Sequence, residues 1–288
     1  MTTALTRLSG SAFELTLTVP WPEIKSVYDK VFEELSAEIE VEGFRKGKAP
    51  KDLTAQKIEK RRVYDQVIKR ILPDAYAKAL EEHHLKPIIN PKIEISQGED
   101  DKDWQFIARA AEKPEIKLGD YQKDISNINT QGKIWTPEKG ESPKEKTPED
   151  KKEEENEKLN KIIEKLLETC IVEIPELLVE SEVNRLISEL VDDVRSAGMT
   201  YEQYLTTKGT DAQKVRENYR SQVVSTLKLE FILDAIANDL KIVVDEKEVE
   251  TIIEKEPDAA KKQALKAQSY YLTSLLRRQK TLTKLTTL

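Results

Sequence analysis

The stretch Glu42-Gly-Phe-Arg-Lys-Gly-Lys-Ala-Pro50 separates two amphipathic segments in the first third of the chain. Gly43 and Gly47 permit backbone angles that other residues avoid, and Pro50 disfavours a helical conformation at Ala49. The sequence therefore predicts a tight, exposed loop over residues 43–50, which we call the Phe44 loop.

The side chains of the Phe44 loop suit a binding surface. The exposed ring of Phe44 can fill a pocket on a partner, while Arg45 and Lys46 can meet carboxylates or phosphates. The alternative is that Phe44 folds back into its own core and that the cations are merely solvated. Spacing alone slightly favours this second interpretation.

Around the loop, the hydrophobic pattern predicts an α+β domain. Residues 13–19 alternate between apolar and polar, as in a half-buried strand. Residues 23–39 and 63–80 have apolar side chains at helical spacing, and Pro73 is expected to kink or break the second helix. Two more strands are predicted at residues 88–95 and 104–110. This order predicts an antiparallel sheet covered by helices on one face.

The middle of the chain changes in composition. Between about residues 122 and 156, Asn, Thr, Gly, Pro, Lys and Glu dominate. Such a segment buries too little apolar surface to offset the entropy of ordering, which is about 1–2 kcal/mol per residue for the backbone. We predict a charged, low-complexity linker over 122–156 whose last residues enter a helix. Trp135 is its one large aromatic residue, and it either packs on a neighbouring domain or is exposed.

From residue 157 onward the pattern predicts an all-α domain, over 157–288. One helix starts near Pro175 and ends at Gly198, and another covers residues 211–238. Asp245 is a candidate N-cap of a short helix through residue 254, and Asp258 is a candidate N-cap of the last helix.

The amino-acid composition limits the classes of protein to which this chain can belong. The chain has 288 residues, of which 38% are hydrophobic and 35% charged, so its surface is large relative to its cores. This favours an elongated, helix-rich molecule. The single cysteine, Cys170, lies beside apolar residues and is predicted to be a small buried hydrophobe in a reducing compartment. Neither a signal peptide nor a membrane span is visible, which predicts a cytoplasmic protein.

Charge is distributed unevenly. The net charge of -7 argues against a general nucleic-acid binder. Residues 43–70 nevertheless carry ten cations and only three acids, which are Asp52, Glu59 and Asp65. The cations are Arg45, Lys46, Lys48, Lys51, Lys57, Lys60, Arg61, Arg62, Lys69 and Arg70. Such a basic end points to an anionic docking surface, although charged helix faces are usually just solvated.

The sequence shows no arrangement of residues that indicates catalysis or metal binding. His83 and His84 are adjacent near a predicted helix end, without cysteines or carboxylates at ligand spacing. With one apolar cysteine, no pairing of nucleophile and base can be proposed. We therefore predict no catalytic residues, no metal site, no cofactor and no enzymatic activity.

The Phe44 loop, as Gly43-Phe-Arg-Lys-Gly-Lys-Ala-Pro50, resembles the signature loop of the trigger factor family. Members are bacterial chaperones that meet nascent chains at the ribosomal exit tunnel. Residues 12–20, 174–183 and 239–249 are similar to other parts of the family, and the resemblance covers roughly residues 1–121 and 160–288. The middle of the chain departs from the family pattern, because residues 122–156 stand where the family has a prolyl isomerase domain.

The resemblance implies a function and a set of partners. Residues 1–121 would bind the large ribosomal subunit near the exit tunnel, through protein and rRNA. The docking residues would be Gly43, Phe44, Arg45, Lys46, Gly47 and Lys48. Residues 157–288 would shield apolar segments of nascent polypeptides without ATP, and the free protein could form a homodimer. A membrane partner is not expected.

Candidate client contacts are apolar and aromatic side chains of the helical domain. They are Leu178, Val179, Tyr201, Tyr204, Leu205, Ile252, Tyr270, Tyr271 and Leu272. For any single one of them, an ordinary place in a helix–helix core is the competing interpretation. For the whole chain, the alternatives are a ribosome-associated assembly factor and a residual prolyl isomerase. A periplasmic chaperone is disfavoured by the absence of an export signal.

Overall fold

The structure, a computed structural model, describes residues 1–39, 54, 57–131 and 148–288. The chain divides into two compact units. The first unit comprises Met1–Lys113 together with Pro175–Leu178, and the second comprises Pro114–Ile174 and Val179–Leu288.

The first unit contains a four-stranded antiparallel sheet. Its strands are β1 (Thr2–Arg7), β2 (Ala12–Val19), β3 (Lys92–Gln97) and β4 (Trp104–Ala111), in the order β1-β2-β4-β3. The alternation in β2 and β4 buries every second side chain, as predicted. The third strand begins four residues later than predicted. Strand β1 was not predicted, because this edge strand is rich in threonine and mostly exposed.

Helices α1 (Trp21–Glu38) and α2 (Lys60–Glu82) pack against this sheet. Pro22 lies in the first turn of α1, where a missing N–H leaves no hydrogen bond unmade. The core between the helices and the sheet includes Phe13, Ile24, Val67 and Phe106, all with no exposed surface. The predicted α+β fold of this domain is thus confirmed.

Pro73 does not break α2, contrary to one of the two outcomes expected from the sequence. The helix runs without interruption from Lys60 to Glu82. Pro73 and Lys69, four residues earlier, are both exposed. Solvent can therefore satisfy the Lys69 carbonyl that lacks an N–H partner.

The second unit is built mainly from helices. They are α3 (Tyr121–Gln131), α4 (Pro148–Thr169), α5 (Glu176–Ser196, whose first residues belong to the first unit), α6 (Tyr201–Lys208), α7 (Ala212–Asp239), α8 (Glu246–Glu254), α9 (Ala259–Ala267) and α10 (Ser269–Leu285). A short antiparallel pair, β5 (Ile116–Lys117) and β6 (Ile171–Val172), accompanies them.

Several predicted helix ends are confirmed by their caps. The carboxylate of Asp211 accepts from the Lys214 N–H at 2.8 Å at the start of α7, and Asp245 caps α8 in the same way. Gly198 has a φ of 78° just after α5. Helix α6 was missed, although Thr200 and Gln203 form a capping box before it. The predicted last helix is two helices, α9 and α10.

The predicted linker over 122–156 is wrong at its beginning. Residues 121–131 form α3, in which Tyr121, Ile125 and Ile128 lie at helical spacing and face the core of the second unit. This core contains ten buried side chains. They come from segments that are far apart in the sequence, because α3 and α4 pack beside α7 and the end of α10. These three apolar residues were not recognised as one face of a helix, because polar residues separate them in the sequence. Residues 132–147, including Trp135, lie outside the described part of the chain.

A buried tyrosine links α3 to α7. The Tyr121 hydroxyl donates to the Asp239 carboxylate at 2.5 Å. Burial, and then the hydrogen bond to Asp239, raises the pKa of Tyr121 to about 12 from an ordinary value near 10. Because the folded pKa is raised, the hydroxyl stabilises the fold fully below pH 10, and this contribution is lost as the pH approaches 12.

Tyr121→Phe should therefore be less stable than the wild type at pH 8, with a difference that shrinks in alkali. At pH 11, we expect the difference in unfolding free energy to be about 1 kcal/mol smaller than at pH 8. Urea unfolding of both proteins at the two pH values measures this. A difference that stays constant with pH would show that Tyr121 titrates equally in the folded and unfolded chains.

Candidate functional site

The Phe44 loop lies outside the described residues. This applies to all six predicted docking residues, which are Gly43, Phe44, Arg45, Lys46, Gly47 and Lys48. Their roles stay predictions, and so does the alternative that Phe44 folds back into a core. The structure does describe Ile39 before the loop and Thr54 and Ile58 after it.

Described residues on either side of the Phe44 loop are packed into the first unit. On the near side, Ile39 follows α1 and packs against the sheet core. On the far side, Thr54 is 1% exposed and Ile58 is 7% exposed. The Ile58 N–H donates to the Thr54 carbonyl at 3.0 Å. The loop is therefore bounded by segments of fixed position, as a binding loop on a rigid scaffold requires.

The start of α2 is held by Asp100, which lies in the turn between β3 and β4. The Lys60 ammonium donates to one carboxylate oxygen at 2.5 Å, and the Tyr64 hydroxyl donates to the other. The hydrogen bonds from Lys60 and then Tyr64 lower the pKa of Asp100. The Tyr64 ring also meets the edge of Trp104, with centroids 5.1 Å apart. Lys60 is thus engaged inside the unit.

A second contact joins the two helices of the first unit. The Arg70 guanidinium on α2 forms two parallel hydrogen bonds to the Glu34 carboxylate on α1, one of them at 3.0 Å. The hydrogen bond from Arg70 lowers the pKa of Glu34. The pair is largely solvated, so it orients the helices more than it stabilises them. Arg70 is therefore also engaged within the unit.

The predicted client contacts fall into two groups. Val179 is 2% exposed and packs on Val183 and Val223, so it is a core residue and cannot meet a client without opening this packing. The half-buried residues are Leu178, Tyr201, Tyr204, Leu205 and Leu272, and the exposed residues are Ile252, Tyr270 and Tyr271. The rings of Tyr201 and Tyr204 are stacked, with centroids 6.4 Å apart.

A groove of about 610 Å³ lies between α8, α9 and α10. Val249 and Ile253 of α8 form its apolar floor, and Tyr270 stands at its rim with 89% of its surface exposed. The charged rim has two sides of opposite sign. It comprises Glu246, Glu250 and Glu254 on α8 and Lys262 and Lys266 on α9.

Tyr270 was predicted from the sequence as a client contact, whereas the groove beneath it was not. Val249 and Ile253 are four residues apart, and this helical spacing was the available signal. The pairing of α8 with α9 and α10, which makes the groove concave, depends on tertiary packing. Exposed Val243, Leu275 and Met199 were also missed as apolar surface of this unit.

Reactive chemistry is sparse in the described residues. The Cys170 thiol is buried and donates to the Leu118 carbonyl at 3.3 Å, and burial raises its pKa to about 11. It therefore stays a neutral thiol at pH 7, as predicted for a buried hydrophobe. Within the described ranges, no group of three or more histidine, cysteine or carboxylate residues is arranged to hold a metal ion.

Two family models match the chain along nearly its whole length. Residues 1–133 match the bacterial trigger factor protein, and residues 141–287 match the bacterial trigger factor C-terminus. The chain belongs to the bacterial trigger factor family. Only residues 134–140 lie between the two trigger factor matches, far fewer than the roughly 50 residues of the smallest domains. The prediction that no isomerase domain separates them is confirmed.

Individual trigger factors match a smaller part of the chain. Those of Staphylococcus aureus strains JH9 and Newman are each 37% identical over 122 residues, which are 42% of this chain and 28% of the relative. The chain thus matches little more than a quarter of the length of these relatives.

The fold of a solved trigger factor covers the whole chain. A structure from a study of promiscuous substrate recognition in folding and assembly by the trigger factor chaperone has a TM-score of 0.66 and 15% identity. The match covers 100% of this chain and 99% of that one. At 15% sequence identity, this similarity establishes that the two chains share a fold. A helix that could span a bilayer is not found in the part of the chain that the structure describes.

Proposed function

We propose that this protein is an ATP-independent chaperone that docks beside the exit tunnel of the large ribosomal subunit and shields apolar segments of nascent polypeptides. The observation that carries this proposal is the family membership over both segments. The proposal places the protein in the cytoplasm, where ribosomes are reached directly, and gives it no enzymatic activity.

Docking is assigned to the Phe44 loop. Phe44 fills a pocket on the ribosomal surface, Arg45 binds a carboxylate or phosphate, and Lys46 adds a point charge. The packing of Ile39 and Ile58 supports this assignment, because described residues before and after the loop belong to the core of the first unit. Docking weakens as salt rises, since exposed charge pairs are screened.

Client binding is assigned to the groove between α8, α9 and α10. Its apolar floor and the exposed Tyr270 and Tyr271 offer area that an unfolded segment can bury without directional contacts. The rim of both charge signs suits clients of either charge. Release needs no nucleotide, because weak contacts are lost once the client buries its own apolar residues.

The two surfaces act together through tethering. A docked molecule is held near the emerging chain, so its effective concentration there is far above that in solution. Weak contacts with each client segment are then sufficient. The proposal also includes a homodimer of the free protein.

Tyr270→Ala/Tyr271→Ala should bind unfolded clients about 30-fold more weakly than the wild type. The reason is that each ring offers a large apolar area for burial, worth about 1 kcal/mol or more per contact. Fluorescence titration with a permanently unfolded protein measures the affinity. Because both rings are exposed, the unfolding temperature should hardly change.

Gln263→Ala on α9 is the matched control, because it changes an exposed polar residue of the same region. It should leave client affinity unchanged. Wild-type affinity in the double tyrosine variant would remove the groove from the proposal while leaving ribosome docking untouched.

A further inference from the structure

The cations of the first unit are not equivalent. Lys60 and Arg70 are engaged by Asp100 and Glu34, as described above. Between residues 57 and 70, four other cations are exposed, and within the described residues none of them has an ion-pair partner. They are Lys57, Arg61, Arg62 and Lys69. The structure thus separates internal cations from those available to a partner, which the sequence could not do.

Three of the available cations share one face of α2. Val63, Val67 and Ile71 mark the buried face of this helix. Arg61, Arg62 and Lys69 fall on the opposite side, where Arg62 and Lys69 are seven residues, or about two turns, apart. The row spans about 12 Å along the helix axis, and Lys57 precedes it at the loop side. Asp65 is the acid that lies within this face.

We propose that this face of α2, which we call the α2 basic face (Arg61, Arg62 and Lys69), binds backbone phosphates of ribosomal RNA as a second docking contact beside the Phe44 loop. The inference rests on the proposed ribosome docking and names a partner chemistry for residues outside the loop. Its role is to fix the orientation of the docked molecule, because a second contact removes rotation about the first.

Charge and geometry favour RNA over an acidic protein. Nucleic-acid interfaces are strongly positive, whereas the centres of protein interfaces are depleted of charged residues. A nucleic-acid strand presents anions at regular intervals, which suits a row of cations along one helix. The adjacent guanidinium groups of Arg61 and Arg62 can each bind a phosphate through two hydrogen bonds.

The test uses the full-length protein and purified large ribosomal subunits, with affinity measured by fluorescence titration over a range of salt concentrations. Arg61→Gln/Arg62→Gln should bind about tenfold more weakly. The slope of log affinity against log salt should become shallower by about 1.5, because each lost phosphate contact contributes about 0.7–0.9. Asp65→Asn should bind several-fold more tightly, an increase that misfolding cannot produce. Lys78→Gln/Lys92→Gln, which removes two exposed cations elsewhere in the unit, should behave like the wild type.

The outcomes separate this inference from the proposed function. If the Arg61/Arg62 variant binds normally while substitution of the Phe44 loop abolishes binding, the α2 basic face is overturned and ribosome docking stands. If neither substitution matters, ribosome docking itself fails. If the Arg61/Arg62 variant binds weakly with an unchanged salt slope, the face contacts ribosomal protein, and the RNA assignment is overturned.

Discussion

Replacing Phe44, Arg45 and Lys46 together by alanine should lower the affinity for ribosomes by about 100-fold or more, while the protein remains folded. An aromatic ring in a pocket and a paired arginine are the residue types that dominate binding energy at interfaces. Two such contacts, each worth about 2 kcal/mol, give a loss of this size. Co-sedimentation with ribosomes, followed by fluorescence titration, measures the effect.

Two controls, one for the loss of charge and one for the loss of stability, are needed to interpret this result. Lys25→Ala/Lys30→Ala removes two exposed cations from α1 and should bind ribosomes nearly as well as the wild type. The unfolding temperature of the loop variant should equal that of the wild type. Normal ribosome binding by the loop variant would overturn the docking proposal. A clear loss of stability would instead support the alternative in which Phe44 belongs to a core.

Ile125→Ala should destabilise the protein by about 2–5 kcal/mol, the usual range for a large-to-small change at a fully buried position. Ile125 has no exposed surface and packs in the core that α3 shares with α4, α7 and the end of α10. The corresponding fall in melting temperature is roughly 5–15 °C for a unit of this size. Calorimetry or urea unfolding monitored by circular dichroism measures the change.

This substitution also decides between a helix and a linker over residues 122–131. If these residues formed part of a flexible linker, Ile125→Ala would be nearly neutral. Lys123→Ala, on the exposed side of the same helix, is the control and should change stability by less than about 0.5 kcal/mol. Equal stabilities of the two variants would contradict the packing of α3 described above.

The sequence determined those features that depend on neighbouring residues. Alternation identified β2 and β4, because a half-buried strand must place every second side chain in the core. Asp211 and Asp245 identified helix starts, because their carboxylates satisfy N–H groups only two or three residues away. The Phe44 loop carried the family resemblance that the family models confirmed.

Tertiary structure decided the features whose partners are far away in the chain. Tyr121 is held by Asp239, 118 residues away, and the side-chain amide of Asn129 donates to the Leu285 carbonyl, 156 residues away. These contacts make a helix of a segment whose composition predicted a linker. In the first unit, Asp100 engages Lys60 across 40 residues, so only the folded chain distinguishes the cations that stabilise it from those left for a partner. Local patterns cannot encode such pairings, because burial and charge compensation depend on which distant segments pack together.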